Sequence, residues 1–228
     1  LDPPLKGVYD LEQLKNKKGI NGLLVTAYST LDGREGQISE GASNWEWGSM
    51  AGADAYKGTE FTDRTDDNPI MRFELTPANP IVNAKWDGTF DGIGQANNLL
   101  LLLPDVTDMT DAEKKIAEAQ ARFIRAHHHF EAKKMGNKVP WVDETVTDHK
   151  ALTNTADIWP KIEADYKFAY DNLPEKMEFK GQANKWAAAS FLAKVLLFQK
   201  KFAEAKTLFT LIITQGKNSQ GVAYALTD

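Results

Sequence analysis

The sequence predicts an all-α protein: tetratricopeptide-like helical pairs carrying long irregular loops. Three observations predict it. Apolar residues recur at helical spacing in several separated segments, as at Ala119, Phe123, Ala126 and Phe130. Cap and breaker residues bound those segments, such as Thr110-x-x-Glu113 at one start and Gly136 with Pro140 at one end. Near the C-terminus Phe202, Ala205 and Phe209 spell F-x-x-A-x-x-x-F, close to the second half of a tetratricopeptide unit.

Composition narrows the function classes. A chain of 228 residues, 42% hydrophobic and 26% charged, can bury a core in the ordinary way of a globular protein. The formal charge of −5 disfavours a nucleic-acid partner, since a phosphate-binding surface needs surplus Lys and Arg. It also argues weakly against strongly anionic polysaccharides, unless a local basic patch overrides it. There is no cysteine, which excludes disulfides, thiolate zinc sites and cysteine nucleophiles. The longest aliphatic run, Leu99–Leu103, is five leucines before Pro104 and cannot span a bilayer.

Residues 1–9 read as extended, because Pro3 and Pro4 cannot enter a helix interior. Asp10 is the expected N-cap of a first helix reaching about Leu31. Leu14, Leu24, Ala27 and Leu31 form its apolar side, and Gly19 and Gly22 predict a break or kink in its middle.

Residues 36–58 are the unusual stretch. Small residues dominate, yet Trp45, Trp47 and Tyr56 stand among them. Ser43 or Asn44 is placed to cap a short helix over Trp45–Ala51. Small residues let a ligand approach the backbone closely, and indoles make platforms for flat apolar faces. On a short helix Trp45 and Trp47 point about 200° apart, so one is expected in the core and the other accessible. Residues 59–80 follow as a long polar loop with acidic residues at Glu60, Asp63, Asp66 and Asp67. Their spacing does not match an EF-hand, and a solvated acidic loop is the plainer reading.

Pro80 opens a helix to about Leu103, with Trp86, Phe90, Ile93, Ala96 and Leu100 as core and Asn97 serving buried backbone groups. The capping box at Thr110 opens the longest helix, the spine of the chain. His127, His128 and His129 follow one another on it, so they point to different faces and do not form an i, i+4 metal pair. At least one is read as a packed aromatic substitute. Asn154 or Thr155 is expected to start the next helix, ending at Asn172 before Leu173-Pro174, with Pro160 just inside. A helical hairpin closes the pattern, over about Lys185–Gln199 and Phe202–Gln215. Ala188, Ala189 and Ala193 let its helices pack closely.

Four separated motifs carry a family resemblance. They are Ala-Gln-Ala-Arg-Phe-Ile-Arg-Ala over 119–126 with Gly136-x-x-Val139-Pro140, and S-N-W-x-x-G-S-x-A-x-x-D-A-x-K-G over 43–58. The others are W-x-x-x-F-x-x-I-x-x-A-N over 86–97 and I-x-x-D-Y-x-x-A-x-x-x-L-P over 162–174. Together they resemble the SusD/RagB family of outer-membrane glycan-binding lipoproteins. The resemblance implies a non-enzymatic protein at the outer face of the outer membrane. Such a protein captures a polysaccharide or oligosaccharide and delivers it to a SusC-like TonB-dependent transporter, without a cofactor. Leu1, Asp2, Pro4 and Gly7 resemble the family's segment after a lipid-modified cysteine, implying an anchor upstream of this chain.

On the same grounds residues 1–228 are expected to be the N-terminal half of the family's chain. It divides into an extended segment (1–9), helices with Trp-rich ligand-binding loops (10–109), tetratricopeptide-like pairs (110–216) and a tail (217–228). The expected glycan contacts are Trp45, Trp47 and Tyr56 for stacking, and Asp54, Lys57, Asp63 and Arg64 for hydrogen bonds. The alternative is a helical-repeat adaptor that binds peptide or protein near Trp186, Phe198 and Phe202. An enzyme lacks a nucleophile–base pair or metal motif to stand on.

Overall fold

The computed structural model describes residues 11–32, 45–58, 60 and 62–226. The extended segment expected over 1–9, the Asp10 cap and the Ser43 and Asn44 caps lie outside the described residues. Among the described residues seven α-helices follow one another: α1 (Lys17–Ser29), α2 (Asn68–Met71), α3 (Pro80–Leu102), α4 (Asp111–Gly136), α5 (Trp159–Asn172), α6 (Lys185–Phe198) and α7 (Phe202–Gln215). Among the described residues the only bridge pairing is an isolated one between Lys217 and Ala223, so the all-α expectation holds. No helix among them is long and apolar enough to cross a membrane.

The spine α4 packs against α3 and α5, α5 against α6, and α6 against α7, while α1 rests on α3 and α4. Its start is the expected capping box: Glu113 N–H donates to Thr110 Oγ1, and Thr110 N–H donates to the Glu113 carboxylate at 2.8 Å. The stripe Ala119, Phe123, Ala126 and Phe130 is buried. Phe123 meets Tyr166 and Phe191 edge-on with ring centroids 5.5 Å apart, and Phe130 meets Phe198 at 5.2 Å. Burial of Phe123, Phe130 and Tyr166 with Ile162, Ala188, Leu192 and Val195 makes one continuous core, with Phe191 packed against it. At Gly92 α3 crosses the spine so closely that a Cβ would lie 2.1 Å from the His128 ring. Only glycine allows that crossing.

Two helix starts differ from expectation. The first segment is a 3-10 turn (Leu11–Leu14), and α1 then begins at Lys17 with Asn16 as N-cap, its side chain accepting from Gly19 N–H at 3.0 Å. The break therefore precedes the glycines. Gly19 sits in the first turn because a Cβ there would lie 2.3 Å from the Leu14 carbonyl oxygen. Likewise α5 begins at Trp159, not at Asn154 or Thr155. Asp157 accepts from Trp159 N–H at 3.3 Å, and Pro160 stands in the first turn, where its missing N–H costs nothing.

Candidate functional site

The described residues between 45 and 79 pair a small apolar cluster with a buried ion-pair cluster. Trp45–Met50 forms a π-helical turn, closed by Ala51 N–H donating to Glu46 O at 3.0 Å. Arg64, in a left-handed backbone conformation (φ 44°), reaches across to it. Its Nε donates to Asp67 Oδ2 at 2.5 Å and its Nη2 to Glu46 Oε1 at 2.6 Å. Both carboxylates are fully buried. The hydrogen bond that Arg64 donates to Asp67 holds its guanidinium above its ordinary pKa, against the opposing effect of burial. The guanidinium also lies 5.5 Å from the Trp45 ring centroid. Arg64 is thus a buckle joining the π-turn to the segment that enters α2.

Trp45 and Trp47 do not divide into one core and one accessible side chain. Both are half-buried, packed on a small cluster of Met50, Ile70 and Ile81. That cluster is fed by the π-turn, α2 and the start of α3 together, so apolar neighbours meet the π-turn on more than one side. Trp47 borders a cavity of about 490 Å³ whose other walls include Leu75, Pro77, Val82, Asn83 and Trp86.

Trp86 corrects a second expectation. It is 36% exposed and not core, because it lies near the start of α3 beside the far end of α4. Its ring stacks on Phe90 with centroids 4.5 Å apart. Trp86 also borders a second cavity of about 430 Å³, lined further by Phe90, Asn98, Asp143, Glu144 and His149. The two aromatic hollows therefore meet at one indole. The helical spacing that marks Phe90 and Ile93 as core marks Trp86 equally, so periodicity alone has no means of telling them apart.

The wall of the second cavity is pinned from the spine. His129 Nδ1–H donates to Arg125 O at 3.0 Å, and its Nε2 accepts from Val142 N–H at 3.1 Å. Those partners fix a neutral ring, and burial pushes its pKa down to about 3. The ring stacks on Trp141 at 4.1 Å. Asn97 donates to Val142 O at 3.2 Å, as expected of a side chain serving buried backbone. Arg125 grips Asp165 in bidentate fashion at 2.7 and 3.0 Å, and also bonds Glu144. Burial raises the Asp143 carboxyl, but hydrogen bonds from Thr145 and Trp141 outweigh it and hold the group below its ordinary pKa.

The other expected contacts separate. Tyr56 is 71% exposed, and Asp54 and Asp63 are exposed. Lys57 is buried, and its ammonium donates to the Asp63 carbonyl oxygen. At the alternative site Trp186 is buried, whereas Phe198 and Phe202 are exposed.

Comparison with known proteins follows the same lines. A family model of the SusD-like type, described as "Starch-binding associating with outer membrane", matches residues 13–197. The chain is 29% identical over 134 residues to a SusD-like protein of Bacteroides ovatus, covering 56% of this chain and 24% of that one. It is 27% identical over 146 residues to SusD-like protein P2 of Formosa agariphila, covering 60% and 29%. A solved laminarin-binding SusD-like protein superposes with a TM-score of 0.76 at 25% identity, over 93% of this chain and 46% of that one. The chain thus spans less than half the length of each of these relatives.

Proposed function

Because the chain belongs to the SusD-like family, we propose that it captures a polysaccharide or oligosaccharide at the outer face of the outer membrane. It passes that glycan to a SusC-like TonB-dependent transporter without chemical change, held at the membrane by a lipid anchor upstream of Leu1. The observation that carries the glycan reading is the pair of aromatic hollows meeting at Trp86. Sugar rings have apolar C–H faces that stack on indoles, and their hydroxyls need nearby donors and acceptors. Trp47 and Trp86 supply the faces, with Asn83 and Asn98 beside them. Tyr56 and Asp54 reach solvent on the same stretch. In this reading Trp45 and Arg64 shape the platform from behind. A relative described as laminarin-binding supports the ligand class.

A second reading, a helical-repeat adaptor for peptide or protein, draws on Phe198 and Phe202, 47% and 63% exposed at the turn between α6 and α7. Native affinity electrophoresis of the intact protein tests both. Retardation by one neutral polysaccharide, weakened about fivefold in Trp86→Ala, is the expected result, since one stacking face contributes on the order of 1 kcal/mol. Retardation by none of a panel of β-glucan, α-glucan, xylan, mannan and an anionic glycan would overturn the glycan reading.

A further inference from the structure

We infer that this site selects uncharged glycans and rejects those bearing uronate or sulfate groups, an inference that rests on the glycan reading above. The chain's charge is not spread evenly. Residues 45–79 hold seven carboxylates against three cations, a net −4 out of −5 for the whole chain. The three cations are placed where they serve an anionic ligand poorly. Arg64 gives its Nε and Nη2 hydrogens to two buried carboxylates, which leaves that cluster net negative. Lys57 is buried with its ammonium on the Asp63 carbonyl. Arg72 is exposed, but it does not border the Trp47–Trp86 cavity.

Among the described residues the lining of the cavity holds no charged side chain. An anionic substituent entering it gives up water and meets no counter-charge, and desolvating an unpaired charge is costly. Beyond Trp86 the second hollow presents Asp143, Glu144, whose carboxylate is already bonded by Arg125, and His149, so it offers an anion no free permanent cation among its lining residues. A hydroxyl meets none of these penalties, because Asn83, Thr76 and Asn98 offer uncharged hydrogen-bond partners.

The test uses one glycan backbone in two charge states. Isothermal titration of the intact protein compares the neutral polysaccharide that binds best with its chemically sulfated derivative, at low and at high salt. The expected result is binding of the neutral form with little salt dependence, and at least tenfold weaker binding of the sulfated form at low salt. In Thr76→Lys, which sets a cation in the cavity wall, the sulfated form should regain at least threefold in affinity. Equal or tighter binding of the sulfated form, or preference for a uronate polymer over every neutral one, would overturn the inference while leaving glycan capture intact. Binding of no glycan in either charge state would overturn both.

Discussion

The spine with its helical pairs and the Trp-rich stretch before α3 hold shape with different proportions of apolar area and buried charge. From α4 to α7 apolar contact is extensive, with Phe130, Ile162, Ala188 and Val195 removed from water, and one buried ion pair, Arg125–Asp165, joins α4 to α5 within it. Between residues 45 and 81 the apolar cluster has three buried members among the described residues, Met50, Ile70 and Ile81. There the Glu46–Arg64–Asp67 buckle does the joining. A small cluster cannot by itself offset the entropy of ordering a loop, so directional charge contacts supplement it. The lesson is that a scaffold built on apolar area tolerates an adjacent site whose aromatics remain partly uncovered. Trp86 stands at the seam between the two.

That contrast can be broken from either side. The largest effect is expected from Phe130→Ala, which empties a site buried between α4, Trp159 and Phe198. It should lower stability by about 4 kcal/mol in chemical denaturation. An equal loss of hydrogen-exchange protection in the π-turn at Trp45–Met50 would show that the two regions unfold as one unit. Slower or independent loss there would sharpen the distinction.

Counted one group at a time, acid is the next largest perturbation, and it acts through buried histidines of the spine. Burial pushes His127 down to about 4 and His129 down to about 3, from an ordinary value of 6.5. Between those values and 6.5 the unfolded chain binds more protons than the folded one, so stability rises with pH and is lost as pH falls below about 6.5. At pH 4 the loss should reach about 3 kcal/mol for each ring. Denaturation midpoints measured from pH 7 to pH 4 check this, with His129→Gln flattening part of the slope. A profile unchanged by that substitution would remove His129 from the account.

The smallest of the three effects belongs to the buckle. Arg64→Met leaves Glu46 and Asp67 buried beside an apolar chain, at a cost of about 2 kcal/mol after discounting for the partial exposure of Arg64. The loss should be local. Tryptophan emission should shift and glycan affinity should fall, while hydrogen-exchange protection of α4 to α7 stays as it was. A matching loss of protection in α5 and α6 would show that the buckle supports the whole fold.

Much of this molecule was legible before its structure. The spine, its capping box, the start of α3 and both helices of the closing hairpin follow from period, caps and breakers, which are local and repeat within a few residues. The starts of α1 and α5 were less legible. Asn16 and Asp157 compete with other capable cap residues nearby, and the contact of Gly19 with Leu14 decides between them in one case. The aromatic composition around Trp45 and Trp47 marks a special region, but it does not say which ring faces a hollow.

The sequence alone therefore determined the helical architecture, the family and the region where a ligand would be sought. Each of those rests on patterns of neighbours along the chain. Only the tertiary structure decided that Arg64 is spent on Glu46 and Asp67, that Lys57 is buried, and that Trp86 borders two cavities. The physical reason is that burial and charge pairing depend on what distant segments bring together. Arg64 and Glu46 stand 18 residues apart, and Trp86 shares its hollow with Trp47 on one side and the end of the spine on the other. No periodicity in the chain records such meetings.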